Sequence, residues 1–197
     1  EHRITVPNRR NGKSSDVARG FIVTNSEVGA GVIAIYFFTF DYICQIRTIW
    51  GIGDTHEIKL RHTLNAPDRW MDEIAPAIES YGQVKASDFE TKLISAQSTK
   101  FSGTVDDTLK TGLKKFGVSN VTDKMVTGIV KAYEADERDN DNGPIIEGEA
   151  KPVDKIKPVM STLFDLSVGV TAYARSIPFQ NERVAMERAA GKFLASA

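Results

Sequence analysis

The sequence predicts an α+β fold, in which an antiparallel meander of strands in the N-terminal third is followed by packing helices. Up to about residue 63, apolar residues fall in short runs or alternate with polar ones, as in strands. From residue 66 onward, apolar residues recur three and four positions apart, as in amphipathic helices. The 197 residues are 41% hydrophobic and 26% charged. We therefore expect one globular domain over 1–197, strand-rich over 1–63 and helical over 66–197.

Three segments of the N-terminal third have the composition of strands. They are RITV (3–6), GFIVTN (20–25) and VIAIYFF (32–38). The third is apolar on both alternating faces, which is typical of a central strand that is covered on both sides. The polar, basic segment NRRNGKSSD (8–16) predicts a loop or flexible arm before the second strand.

If the segment FDYICQIRTIWG (40–51) is extended, Cys44 and Ile46 lie on one face and Arg47 lies on the other. GIGD (51–54) then predicts a hairpin turn. HEIKLRHT (56–63) alternates cleanly and predicts a half-buried strand, whose polar face carries Lys59 and Arg61.

Helix starts are predicted from capping residues and from proline. They fall near Pro67, at the capping box SDFE (87–90), at TVDD (104–107), near Val121, at Pro158 and at Asn181. Pro76 lies inside the first helical pattern and predicts a kink. Residues 134–150 contain seven acidic residues and one arginine, which predicts a solvated acidic loop before the last two helices.

Basic residues suggest a nucleic-acid site. Arg47, Lys59 and Arg61 lie on polar strand faces, and Arg9, Arg10, Lys13 and Arg19 precede them in the chain. Lys110, Lys114 and Lys115 cluster on one predicted helix. Such residues can hold phosphates if they converge, and Tyr36, Tyr42 or Trp50 could stack on bases if they are exposed. The alternative is that the cations coat an ordinary surface and the aromatic residues belong to the core.

Other candidate sites are weaker. Cys44 lacks a neighbouring histidine to activate it, so a buried apolar cysteine is the simpler interpretation. His56 and His62 would be about 20 Å apart on one strand, and Asp54 with His56 gives only two metal ligands. The acidic segment resembles a calcium loop, but Arg138 occupies its first position, where a carboxylate is required.

Several functional classes receive no support from the sequence. It contains no phosphate loop, dinucleotide fingerprint, serine-nucleophile elbow or zinc-type cysteine spacing, so we expect no cofactor. A single cysteine excludes an internal disulfide and favours a reducing cytosol. The longest apolar run, GVIAIYFFTF (31–40), is too short for a membrane-spanning helix, so no membrane association is expected. Because the first residue is Glu1, we expect a fragment that lacks its N-terminus.

The run GFIVTNSEVGAGVIAIYFFTFDYICQIRTIWG, followed by KLRHTLNAPDRW, resembles the core of a family of phage and plasmid proteins of unknown function. The similarity covers about residues 20–75, and TAYAR with ERVAMERAAGKFL is similar to the closing helices of that family. The family usually has an asparagine two residues after the cysteine, where this chain has Ile46. The strand meander is also similar, as a fold, to single-strand annealing proteins.

The resemblance implies a mobile-element protein in a bacterial cytoplasm. We therefore expect a non-enzymatic accessory protein that binds single-stranded nucleic acid, with a possible role in recombination or annealing. The expected phosphate contacts are Arg9, Arg10, Lys13, Arg47, Lys59 and Arg61. The alternatives are a protein-interaction module, such as an anti-defence factor or virion component that binds a host or phage protein, and a metal-dependent nuclease. Homo-oligomerisation is left open.

Overall fold

A computed structural model describes the backbone over residues 4–7, 14–24, 32–41, 46–48, 57–61, 66–83, 86–141 and 159–197. Within these ranges, side chains are described over 20–23, 32–38, 58–59, 68–69, 72–83, 91–135 and 159–197. The strands precede the helices along the chain, and the α+β prediction is confirmed.

The N-terminal part forms a sheet in which all paired strands are antiparallel. The strands are β1 (Ile4–Pro7), β2 (Ser14–Thr24), β3 (Val32–Asp41), β4 (Ile46–Thr48) and β5 (Glu57–Arg61). The order β1-β2-β3-β4 is the predicted meander, and β5 also pairs with β3. The second predicted strand is longer than expected and begins at Ser14, within the predicted basic loop.

One edge of β3 is shared by two short strands. β4 pairs with β3 from Thr39 to Asp41, and β5 pairs with it from Val32 to Tyr36. β4 and β5 therefore lie end to end and run in the same direction, so the prediction of a hairpin between them is wrong. The predicted turn at 51–54 itself lies outside the described residues.

The segment at 40–51 is not one extended strand, so the condition for that assignment of faces is not met. β3 ends at Asp41, which pairs with Ile46 on β4, so the chain reverses between these two residues. Phe40 and Ile46 consequently occupy opposite faces of the sheet, since Phe40 lies opposite Arg47. Cys44 lies outside the described residues.

Seven α-helices follow in the described chain. They are α1 (Ala66–Arg69), α2 (Ala75–Gln83), α3 (Ala86–Ser98), α4 (Val105–Lys115), α5 (Asp123–Asp141), α6 (Leu163–Ala174) and α7 (Gln180–Ala195). A π-helical turn, Trp70–Ile74, joins α1 to α2. Pro76 has no N–H to donate to a carbonyl of the preceding turn, and this wider turn lies just before it. Pro76 thus lies in the first turn of α2, directly after the π-helical turn.

Three predicted helix boundaries are wrong. α5 continues to Asp141, so the first part of the predicted acidic loop is helical. Glu134 and Arg138 are one turn apart in sequence, a spacing that favours helix. α6 begins at Leu163, because Thr162 and Asp165 form a capping box downstream of Pro158. α7 begins at Gln180 after Phe179, so Asn181 lies in its first turn and is not the N-cap.

The remaining starts agree more closely. Thr104 caps α4 by accepting a hydrogen bond from the Asp107 amide at 3.1 Å, as predicted. α3 begins at Ala86, one residue before the predicted cap at Ser87. α5 begins two residues after Val121.

Buried apolar side chains of the sheet and of the helices form one cluster. Ile35 and Phe37 of β3 belong to it together with residues of α2 to α7, among them Leu113, Ile129 and Phe193. None of the helices that the structure describes is both long enough and apolar enough to span a bilayer.

Candidate nucleic-acid interface

The two faces of the sheet differ in what they contact. On β3, Ile35 and Phe37 are fully buried, and the Phe37 ring lies 4.5 Å from the ring of Tyr81 on α2. Side chains alternate along a strand, so the helices cover the face that carries residues 33, 35 and 37. We call this the helix-packed face. The opposite face carries Tyr36 and Phe38, which both remain partly exposed.

The register brings three predicted phosphate contacts to the opposite face. Directly paired residues of antiparallel strands point to the same side of a sheet. Arg47 pairs with Phe40, Lys59 with Ala34, and Arg61 with Val32. These three partners lie at alternate positions of β3, on the same face as Tyr36 and Phe38. Positions 47, 59 and 61 therefore share one face, although they lie on two strands that do not pair with each other in the described chain.

The basic positions extend along one edge of the opposite face. Their partners Val32 and Phe40 are eight residues apart, which corresponds to about 26 Å along β3. Lys59 is exposed. The register also puts the acidic position 57 on the same face as positions 59 and 61, since Glu57 pairs with Tyr36. A basic edge of this length could follow several nucleotides of an extended strand.

Gly20 and Phe38 form a close cross-strand pair on the opposite face. A Cβ atom built on Gly20 would lie 2.6 Å from Cζ of Phe38, and 3.0 and 3.1 Å from its two Cε atoms. If the Cβ approached Cζ in the plane of the Phe38 ring, it would lie markedly farther from the two Cε atoms than from Cζ. The nearly equal distances therefore place Gly20 under the face of the ring, and the ring lies flat across β2.

Three further predicted phosphate contacts precede β2 in the sequence. Arg9, Arg10 and Lys13 lie outside the described residues, between β1 and β2. Pro7 ends β1 and pairs with Ser14, the first residue of β2. Ser14 lies three residues before Val17, which pairs with Asp41 at the end of β3. The topology thus joins β1 to β2 at the end of the sheet where β3 connects to β4 and position 47 lies.

The lysines of α4 have local roles. Nζ of Lys110 lies 2.7 Å from the Asp123 carboxylate. The hydrogen bond and opposite charge of Asp123 raise the pKa of Lys110, and Lys110 lowers the pKa of Asp123 in return. Lys114 and Lys115 are exposed in the last turn of α4, where cations interact favourably with the helix dipole. α4 packs against α5 and α7.

The sequence also suggested a reactive cysteine, metal-binding residues and further stacking residues. Cys44, Asp54, His56 and His62 lie outside the described residues, as do the possible stacking residues Tyr42 and Trp50. No group of three or more metal-ligating side chains occurs in the part of the chain that the structure describes. Arg138–Asp141 would supply the first four positions of the calcium-like loop, and they belong to helix α5.

Phe38 is the residue of this site that the sequence did not single out. Glycine within a strand often marks a close approach of another group, which is a signal that Gly20 carried. The partner of Gly20 depends on the pairing of β2 with β3, which no local pattern specifies.

No protein-family model, curated protein or solved structure matches this chain. The candidate interface therefore rests on the geometry of the sheet.

Proposed function

We propose that this protein is a phage or plasmid accessory protein that binds single-stranded nucleic acid on the opposite face of its sheet. The observation that carries the proposal is the register of β3, which puts positions 47, 59 and 61 on the same face of the sheet as Tyr36 and Phe38. Cations along an edge follow the phosphates, and aromatic rings interact with bases independently of sequence. Arg9, Arg10 and Lys13 would extend the basic surface from the connection between β1 and β2.

Fluorescence anisotropy with a labelled thymidine oligonucleotide tests this proposal across a range of salt concentrations. The logarithm of the binding constant falls linearly with the logarithm of the salt concentration. For a single strand, each phosphate contact makes this slope steeper by about 0.7. The triple variant Arg47→Ala, Lys59→Ala, Arg61→Ala should therefore reduce the magnitude of that slope by about 2.

The matched control is Lys124→Ala and Lys131→Ala together, which removes two exposed lysines of α5. This variant should retain the salt dependence of the unmodified protein. Absence of binding at low salt, or an equal loss in both variants, would refute the proposal.

A second candidate function is a protein-interaction module, and one edge of β2 favours it. Among the described residues, β1 pairs with β2 only up to Val17, which leaves residues 18–24 at the edge of the sheet. Phe21 and Val23 on this segment are 48% and 42% exposed. An exposed, apolar strand edge can accept a strand from a partner protein.

Affinity capture from a nuclease-treated host lysate, with Val23→Lys as the variant, tests the second candidate. A stoichiometric protein partner that is lost with Val23→Lys would support it. Capture that disappears on nuclease treatment would favour the nucleic-acid function.

A further inference from the structure

The arrangement of Phe38 and Gly20 identifies which residue of the proposed interface would contact a base. We propose that Phe38, held flat over Gly20, is a platform on which an unpaired base stacks. This inference rests on the proposed function, because it identifies what the same face would contact besides phosphates.

The geometry meets the requirements of a stacking platform. One face of the ring covers Gly20, where no Cβ atom separates it from the β2 backbone. The other face of the ring is directed away from the sheet, and the residue remains partly exposed. A side chain at position 20 would occupy the space of the ring, so glycine is required for this orientation.

The backbone beneath the ring is held in place from the helix-packed side. The hydroxyl of Tyr81 donates a hydrogen bond to the carbonyl oxygen of Phe38 at 3.0 Å. The Tyr81 ring also packs against Phe37, the preceding residue on β3, with the two ring centroids 4.5 Å apart. The platform is therefore attached to the core and loses little conformational freedom when a ligand binds.

Charge on the same face selects the class of ligand. Tyr36 is partly exposed about 7 Å from Phe38 along β3, and it can take a second base. Lys59 and positions 47 and 61 form the adjacent edge, which complements a phosphate backbone. Two partly exposed aromatic rings beside a basic edge suit a single strand, because the bases of a duplex are already stacked on one another.

A structural explanation competes with this one. An aromatic ring that covers a glycine in a neighbouring strand can simply shield the backbone and stabilise the sheet. If this were its only role, Phe38 would affect the stability of the protein. The protein would then bind an oligonucleotide with bases and an abasic oligonucleotide equally well.

The deciding experiment compares binding of a thymidine oligonucleotide with that of an abasic oligonucleotide of the same length. The unmodified protein should bind the thymidine strand about 5- to 150-fold more tightly, which is the range expected for stacking one base on an aromatic ring. Phe38→Leu keeps an apolar side chain but removes the aromatic face, and it should abolish most of this preference while the salt dependence stays unchanged. Gly20→Ala should reduce the preference by displacing the ring.

Phe21→Leu is the matched control, since Phe21 neighbours Gly20 but lies on the helix-packed face. It should retain the preference for bases. Equal binding of both oligonucleotides by the unmodified protein would overturn the inference and leave the phosphate-binding function intact. Binding of neither would overturn both. If Phe38→Leu fails to fold, Phe38→Tyr, which keeps an aromatic ring, should retain the preference, and Tyr36→Leu should reduce it less than Gly20→Ala does.

Discussion

The carboxylate of Asp165 joins three parts of the chain at the level of single residues. It is 7% exposed and accepts hydrogen bonds from the Tyr133 hydroxyl at 3.0 Å and from the Ser161 and Thr162 amides at 2.9 and 3.0 Å. The capping box of α6 is thus linked to the middle of α5. A buried carboxylate with several donors is costly to remove, because each donor is left without its partner.

Asp165→Ala should lower the free energy of unfolding by about 3 kcal/mol, because it leaves buried donors unsatisfied. Urea denaturation followed by circular dichroism measures this change. Asp107→Ala is the control, since Asp107 accepts a similar hydrogen bond from the Thr104 hydroxyl at an exposed helix start. Equal losses in the two variants would show that burial of Asp165 adds nothing.

At the level of the element, the end of α4 shows how local sequence terminates a helix. The amide of Val118 donates to the Leu113 carbonyl at 2.9 Å, and Gly117 donates to the Lys114 carbonyl at 3.1 Å. These two bonds form a Schellman motif, in which Gly117 has a φ of +90°. Lys192 of α7 donates to the Phe116 carbonyl at 3.3 Å, which ties this helix end to its neighbour.

Gly117→Ala should destabilise the protein by about 1–2 kcal/mol, because a residue with a Cβ atom is strained at this φ. Gly82→Ala on α2 is the matched control. Its added Cβ would meet nothing within 4 Å, and alanine favours helix, so stability should stay unchanged or rise by up to about 1 kcal/mol. Thermal unfolding of the two variants in parallel tests the expectation, and a melting temperature for Gly117→Ala at or above that of Gly82→Ala would contradict it.

At the level of the whole molecule, the sheet and the helices share one apolar cluster. Phe37 and Phe21 are directly paired across β3 and β2 on the helix-packed face, yet Phe37 is fully buried while Phe21 is 48% exposed. The difference arises because the helices cover the centre of the sheet and leave the edge near Phe21 exposed. Burial against the helices, and not strand propensity, determines how much each phenylalanine stabilises the fold.

Phe37→Ala should therefore destabilise the protein by about 3–5 kcal/mol, through lost burial and a cavity between the sheet and α2. Phe21→Ala should cost about 1 kcal/mol, in proportion to its smaller buried area. If the chain is one domain, as the sequence predicts, far-ultraviolet circular dichroism and aromatic fluorescence should report the same denaturation midpoint in each variant. Separate midpoints for the two probes would contradict the single-domain prediction.

The local sequence determined the class of the fold and much of the helical core. Apolar residues recur three and four positions apart along α4 and α5, and Leu109, Leu113, Ile129 and Tyr133 on these helices are buried. Thr104 caps α4 as predicted, and Gly117 ends it, because caps and positive φ depend on residues only a few positions apart. Boundaries were missed where local signals competed, as at Pro158 and Thr162, or where acidic residues continued a helix beyond residue 134.

Only the tertiary structure decided the pairing of the strands and therefore the candidate site. Alternation identifies which residues of one strand share a face, but it does not say which strands meet or in what register. The chain reversal between Asp41 and Ile46, and the placement of β5 beside β3, bring positions 47, 59 and 61 to one face. The same pairing lays Phe38 over Gly20, which are 18 residues apart in the sequence. Such contacts depend on hydrogen bonds between distant segments, and a pattern confined to one segment cannot encode them.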